Sequence, residues 1–367
     1  MITPTKSLAG VALVVSATLA LSACAGNADS GSGEANRTLI GAGASSQGAA
    51  QEAWVAGFQT ANPDVTVTYD PIGSGGGRET FQSGASSFAG SDRAFKVEEI
   101  AEGNFGSCVA DAGIWQIPAY ISPIAVIFNL DGIGSLNLDA DTLAQIFTGQ
   151  IGAWNDPAIA SQNPGVDLPD LAITPVHRSD ESGTTANFTD YMSKASPDYW
   201  LVGGENAGSF EAWPEEWGGE GAPQTSGVVD AVTNGTGTIG YADASRAGSL
   251  GVVSVKVGTD YVPYSPEAAA KIVDASPLAD PGERGDNDLA IELDRATESS
   301  GTYPIVLVSY LIGCNDYQDD SVVDLVTGYV SYVMSEEGQL AAQANAGNAP
   351  VSADTRAKAE AILSTIQ

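Results

Sequence analysis

Basic residues are scarce in this chain of 367 residues: 14 lysines and arginines stand against 46 aspartates and glutamates. Nucleic acid is thereby excluded as a partner, because gripping a polyanion takes clustered cations that displace its counterions. The acidity reads as a well-solvated, repulsive surface. Histidine is nearly absent, with His177 alone, and cysteine stops at three. Those counts, with no C-x-x-C spacing, leave no material for a zinc cluster or a redox pair. No serine sits in a G-x-S-x-G elbow and no P-loop lysine follows a glycine run, so the common hydrolase and nucleotide signatures are missing. No cofactor is implied. Beyond the first two dozen residues no apolar run approaches the ~20 residues a membrane-spanning helix needs.

What is present begins with an address. Lys6 precedes an unbroken run of small and apolar residues at 8–21, the h-region of a secretory signal. It ends in Leu21-Ser22-Ala23-Cys24, then Ala25 and Gly26, and this junction resembles the lipobox of bacterial lipoproteins. The resemblance implies cleavage of a signal peptide at 1–23 and a lipid on Cys24. The protein is then held on the cell membrane and faces the extracytoplasmic side, either a periplasm or the cell exterior. Residues 24–36 carry no large apolar side chain and read as a flexible tether. With Cys24 so used, Cys108 and Cys314 remain as a pair in a compartment where disulfides persist, and a disulfide between them is expected.

The remaining roughly 330 residues suit two lobes better than one small core. Strand-like and helix-like segments alternate, the pattern of an α/β fold. Three junctions are of one kind. Thr38-Leu39-Ile40 leads into Gly41-Ala42-Gly43-Ala44-Ser45-Ser46 and then a helical pattern with Trp54 and Phe58. Val65-Thr66-Val67-Thr68-Tyr69 leads through Pro71 and Ile72 into Gly73-Ser74-Gly75-Gly76-Gly77-Arg78. Leu171-Ala172-Ile173-Thr174-Pro175-Val176 leads into His177-Arg178-Ser179-Asp180-Glu181-Ser182-Gly183-Thr184. Each is a strand, a turn of glycine and hydroxyl residues, and a helix N-terminus. The first helical turn offers unpaired N–H groups and the positive end of a dipole, glycine lets backbone approach a ligand, and hydroxyls donate to oxygen. One such turn is ordinary helix capping; three together, one with Arg178 four residues before Ser182, point to a bound oxyanion. Phe88-Ala89-Gly90-Ser91-Asp92-Arg93 adds a lone carboxylate, Asp92, as an acceptor inside the same cage.

These segments resemble the phosphate-binding protein of the bacterial phosphate-specific ABC transporter, over essentially the whole mature chain. Further markers are Ile146-Phe147-Thr148-Gly149 with Trp154, and Gly237-Thr238-Ile239-Gly240-Tyr241. The resemblance implies a two-lobed periplasmic-binding-protein fold, type II-like, with two chain crossovers forming a hinge. Lobe I would comprise 37–120 and 302–367, and lobe II 121–301, with crossings near 118–122 and 301–304. It implies phosphate held by Ser45 and Ser74, with Asp92 as acceptor, and by Arg178, Ser182, Gly183 and Thr184, with Asp180 orienting the arginine. The implied role is a monomeric, non-enzymatic solute-binding protein delivering inorganic phosphate to the permease subunits of an ABC importer. The first loop departs from the family pattern of threonine, aromatic and proline, having Ser45, Ser46 and Gln47 before Gly48. No role carries over to Arg78.

Rival readings attach to the same residues. A phosphatase or serine hydrolase would use serines in glycine-rich turns, but its base would have to be His177, beside a strand. A binder of sulfate, molybdate or an organic phosphate would share the cage; Asp92 argues against sulfate, which has no proton to give a carboxylate near neutral pH. Residues 235–240 fit G-x-G-x-x-G but precede a strand and not a helix, and read as a turn. Trp200, Trp213 and Trp217 are expected in packing, and 276–288 as a solvated loop.

Overall fold

The computed structural model describes residues 37–367; the expected signal peptide, the tether and Cys24 lie outside them. The chain opens with β1 (Arg37–Gly43), α1 (Gly48–Ala61), β2 (Val65–Asp70), α2 (Ser74–Gln82), β3 (Phe88–Ser91) and α3 (Val97–Glu102). Alternation is visible in β2, where Val65 and Val67 are buried and Thr68 is exposed, as period-2 side-chain placement requires. β1 pairs in parallel with β2 and with β3, so all three deliver their C-terminal ends to one edge.

Next come β4 (Ile114–Phe128), β5 (Ser135–Leu138), α4 (Ala140–Phe147), α5 (Pro157–Gln162), β6 (Thr174–Arg178), α6 (Gly183–Ala195), and the two-residue strands β7 (Leu201–Val202) and β8 (Glu205–Asn206). There follow β9 (Glu220–Ala222), α7 (Gln224–Asn234), β10 (Thr238–Asp243), β11 (Gly251–Val257), β12 (Asp260–Val262), α8 (Pro266–Ala275) and α9 (Pro281–Arg284). The last stretch returns to the first half with β13 (Val306–Cys314), α10 (Val323–Met334), α11 (Glu336–Ala346) and α12 (Ala353–Leu363). Trp54 on α1 ties it down by donating to Gly338 O at 2.9 Å.

Strands run in the order β2-β1-β3-β13-β4-β10-β6-β9. β4 and β13 are buried along their whole lengths, which explains their near-continuous apolar sequences. β4 serves both halves. Ile114 to Pro123 pair antiparallel with β13, while Ile124 to Phe128 pair antiparallel with β10. At the changeover the Ile124 N–H donates to Ile305 O at 2.7 Å. Pro118 cannot donate to the ladder, and the register with β13 slips between Ser309 and Tyr310, opposite Tyr120 and Pro118. The result is the two-lobed α/β architecture.

Cys108, ahead of β4, and Cys314, at the end of β13, form a disulfide across 206 residues, with Cα atoms 5.2 Å apart. In the second half the aromatic side chains make one packed cluster. Phe188 stacks on Tyr241 at 4.2 Å between centroids, and Trp200 meets Trp217 edge-on at 4.4 Å. Gly237 adopts φ +79° in the turn between α7 and β10. The stretch 276–288 is mostly exposed, as its composition suggests, but it is not all loop. It carries α9, and Asp288 is buried against Gln116, with Arg284 donating to Asp288 at 2.9 Å and to Phe95 O. Gln116 lies 172 residues away, so no local pattern marks this docking.

Candidate functional site

The three glycine–hydroxyl turns meet where the halves face each other. Gly73 adopts φ +97° to turn β2 into α2, and a Cβ there would lie 2.6 Å from Asp180 Oδ2. The Gly75 N–H crosses to Glu181 O at 3.2 Å. Gly183 opens α6 under equal constraint: a Cβ would lie 2.5 Å from Ser74 Oγ and 2.7 Å from Asp92 Cβ. Glycine at these places is what lets one backbone touch the other.

Asp92 sits at the centre, 3% exposed. Its Oδ1 accepts from Ser46 Oγ and from Ser309 Oγ, both at 2.6 Å, and its Oδ2 accepts from Thr184 Oγ1 at 3.0 Å. Its backbone is held as well: the N–H donates to Ser74 Oγ at 3.1 Å, and the carbonyl accepts from Asn187 Nδ2 at 2.6 Å. Burial raises the Asp92 carboxyl above its ordinary range, while the Ser309, Ser46 and Thr184 hydroxyls and the Arg178 charge pull the other way.

Arg178, also 3% exposed, ends β6. Its Nε donates to Asp180 Oδ1 at 2.8 Å and its Nη2 to Asp180 Oδ2, a bidentate fork that fixes the guanidinium plane. Burial lifts the Asp180 carboxyl, but the hydrogen bonds and charge of Arg178 outweigh it and hold Asp180 low. Asp180 is anchored in turn by the Gln224 N–H at 2.9 Å. Ser182 caps α6, its Oγ accepting from the Thr185 N–H at 3.1 Å. The N–H groups of Ser74, Gly183 and Thr184 have no acceptor among the described residues, as first-turn donors lack intrahelical partners. Ser74, Asp92, Arg178, Asp180, Ser182, Gly183 and Thr184 are thus brought together.

Ser45 is turned differently. Its hydroxyl lies 3.0 Å from Thr225 Oγ1 and accepts from the Thr225 N–H at 3.2 Å, so it caps α7 across the cleft, while Ser46 reaches Asp92. Residues that sequence reading missed complete the site. Ser46 and Ser309 contact the carboxylate. Asn187 is held by Arg295, which also donates to Val306 O at 2.6 Å and Pro304 O at 3.1 Å.

Arg78 acquires a partner no motif announced. Its Nη2 donates to Glu211 at 2.8 and 2.6 Å and its Nη1 to Ser91 Oγ at 2.8 Å. Arg93 Nε shares Glu211 at 2.8 Å and forks to Glu99 with two bonds of 2.7 Å. Burial raises both carboxyls, but the arginines prevail, holding Glu211 below its ordinary value and taking Glu99 to about 2. His177 stacks on Trp213 at 5.0 Å, and its Nδ1–H donates to Arg178 O at 2.9 Å. Burial lowers its pKa. The ring is engaged with Trp213 and the backbone, with no hydrogen bond to a serine hydroxyl among the described residues. Among those residues no group of histidines, cysteines and carboxylates is arranged for a metal ion, and no helix is long and apolar enough to cross a membrane.

Chemically the arrangement is a buried cluster of neutral donors, one full positive charge and one acceptor. The chain matches the model of the PBP superfamily domain over residues 28–337. It is 34% identical over 342 residues to phosphate-binding protein PstS 3 of Mycobacterium tuberculosis, covering 88% of this chain and 89% of that one. A high-affinity periplasmic phosphate-binding protein (PfluDING) bound with phosphate superposes with a TM-score of 0.70 at 22% identity, covering 88% and 93%. A protein described as a phosphate ABC transporter substrate-binding protein from Clostridium perfringens, with bound phosphate, superposes with a TM-score of 0.59 at 18% identity, covering 86% and 100%.

Proposed function

The chain belongs to the PBP superfamily, among the phosphate-binding proteins, and from that membership we propose that it captures inorganic phosphate between its lobes and hands it to an ABC-type importer. The observation that carries this reading is a buried carboxylate, Asp92, ringed by hydroxyl donors and faced by Arg178. Phosphate near neutral pH keeps at least one proton and can donate it to Asp92. Sulfate cannot, and its oxygens would meet the carboxylate with nothing between. Micromolar affinity needs about 8 kcal/mol, which several charge-assisted hydrogen bonds of ~1.5–3 kcal/mol each supply after closure costs. The ligand contacts are Ser74, Asp92, Arg178, Ser182, Gly183 and Thr184 with the backbone of Ser45, and Asp180 orients the arginine.

Lobe I is taken as 37–120 with 302–367 and lobe II as 121–301, the sheet changeover at Pro123 and Ile124 supporting a hinge there. Binding without catalysis is supported by the engagement of His177 with Trp213 and the backbone. The lipobox supports anchoring at Cys24 on the extracytoplasmic face as a monomer, beside the permease that takes the phosphate.

The test is calorimetry on purified protein freed of phosphate by unfolding and refolding. One-to-one binding of phosphate without sulfate heat is the expected result, and Asp92→Ala should let sulfate compete. Absence of phosphate heat, or an Asp92→Ala protein that still excludes sulfate, would overturn the reading.

A further inference from the structure

The first loop departs from the family pattern at Ser46 and Gln47, and both side chains point inward. Gln47 is wholly buried and stands in a chain of hydrogen bonds that ends on Asp92. Tyr329 Oη donates to Gln51 Oε1 at 2.6 Å; Gln51 Nε2 donates to Gln47 Oε1 at 2.8 Å; Gln47 Nε2 donates to Ser309 Oγ at 2.6 Å; Ser309 Oγ donates to Asp92 Oδ1 at 2.6 Å. Every member is at most 3% exposed.

The direction of this chain is set by one backbone contact. Gln47 Nε2 also donates to Tyr310 O at 3.2 Å, and a carbonyl only accepts. The amino end of the Gln47 amide must therefore face β13, and its oxygen must face Gln51. With a Ser309 lone pair taken by Gln47, the Ser309 proton has Asp92 Oδ1 as its acceptor. Ser46 gives a second proton to the same oxygen. Two incoming O–H groups disfavour a proton on Oδ1, and Thr184 Oγ1 donates to Oδ2, so both oxygens are set as acceptors.

We propose that the relay Tyr329–Gln51–Gln47–Ser309 locks Asp92 as a hydrogen-bond acceptor and thereby makes the site select oxyanions that bring their own proton. These are positioning residues, acting through Asp92. The proposal rests on the phosphate-binding reading and names what enforces its specificity. Burial alone would drive Asp92 towards its neutral form, and a neutral Asp92 has an O–H to offer sulfate. The other charged or titratable groups that face it are Arg178 from β6, Tyr69 from β2 and Asp243 from β10. Of these only Arg178 favours the ionised form, so the hydroxyl donors carry most of that task. Aligned dipoles in a dry interior reinforce one another, which gives the distant Tyr329 a part in the selection.

The experiment is calorimetric titration of phosphate and of sulfate, separately, from about pH 8 down to about pH 5, above the ordinary carboxylate range, using the stripped full-length protein. Ser309→Ala removes the last donor, Gln47→Met removes the orienting amide while keeping bulk, and Tyr329→Phe removes only the outermost O–H. Parent protein should bind phosphate and give no sulfate heat across the range. Ser309→Ala and Gln47→Met should bind phosphate roughly tenfold or more weakly, and should acquire sulfate binding that strengthens as pH falls and Asp92 takes a proton. Tyr329→Phe should shift in the same direction by less. A purely structural contact would weaken phosphate binding without admitting sulfate at any pH. Folded variants that keep the parent's phosphate-to-sulfate ratio at every pH overturn the relay while leaving the phosphate reading intact. A parent that binds no phosphate overturns that reading first. Should Ser309→Ala fail to fold, the other two variants decide.

Discussion

Removing the charge of Glu211 should loosen the closed state without unfolding either lobe. Glu211 comes from the second half, and both its arginines come from the first; the closest contacts are 2.6 Å to Arg78 and 2.8 Å to Arg93. The side chains are mostly buried, with 5% of Arg78 and 14% of Glu211 exposed. When the halves part, Arg78 keeps Ser91 and Arg93 keeps Glu99, while Glu211 returns to water. Of the bonds made by these two arginines, only those to Glu211 are lost on opening. Charge-assisted bonds of ~1.5–3 kcal/mol each, less the cost of desolvating the carboxylate, leave a net preference of about 2 kcal/mol. At 1.4 kcal/mol per tenfold this is roughly 30-fold in the closure equilibrium. Because ligand capture and closure are coupled, Glu211→Gln should weaken phosphate binding by about that factor, and the ligand-free protein should become more extended. Calorimetry in physiological salt with small-angle scattering reads both. An affinity within about twofold of the parent, with unchanged scattering, would refute the latch.

Two further expectations follow from buried groups. Asp243, fully buried under Tyr120 (3.1 Å) at the changeover of β4, has a carboxyl that burial pushes up to about 6. Its native state thus holds the proton more tightly than the unfolded chain does, so its contribution to stability is lost as pH rises through about 6 and is restored towards the unfolded carboxylate range. Asp243→Asn should stabilise the protein at pH near 7.5 by an amount on the order of 2 kcal/mol and little at pH near 4, measured by urea unfolding; a pH-independent difference would contradict this. Gly183→Ala places a methyl 2.5 Å from Ser74 Oγ, so phosphate affinity should drop by roughly tenfold or more while the melting temperature barely moves, and an unchanged affinity would show that the turns do not meet in solution.

The parts of the site that could be read from sequence are those written locally. Glycine, hydroxyl and helix start fall within a few residues of one another at Gly73-Ser74 and Ser182-Gly183-Thr184, and Asp180 lies two residues from the arginine it grips. Alternation likewise announced β2. The remainder has no local spelling. Ser309 meets Asp92 across 217 positions, Gln47 meets Ser309 across 262, and Glu211 meets Arg78 across 133. Ser309 lies inside an apolar strand, where a lone serine looks like packing, and it meets Asp92 through the antiparallel pairing of β13 with β3, in which Tyr310 stands opposite Ser91. Ser45 shows the ambiguity of such a signal, since a hydroxyl in a glycine turn serves equally as a ligand contact or as a cap, and here it accepts from the first turn of α7.

β4 has a consequence for how the molecule comes into being. One strand supplies an edge to the first sheet through Ile114 to Pro123 and to the second through Ile124 to Phe128, and its main partner β13 is made nearly 200 residues later (about the length of a whole domain). The first sheet cannot be completed by a contiguous piece of the chain, whereas the strands of the second all fall within 124–262. During synthesis the first half must wait, its β3 and β4 edges unpaired, until β13 has emerged. The second half can therefore close on itself first, and the first half is completed only when its last strand arrives.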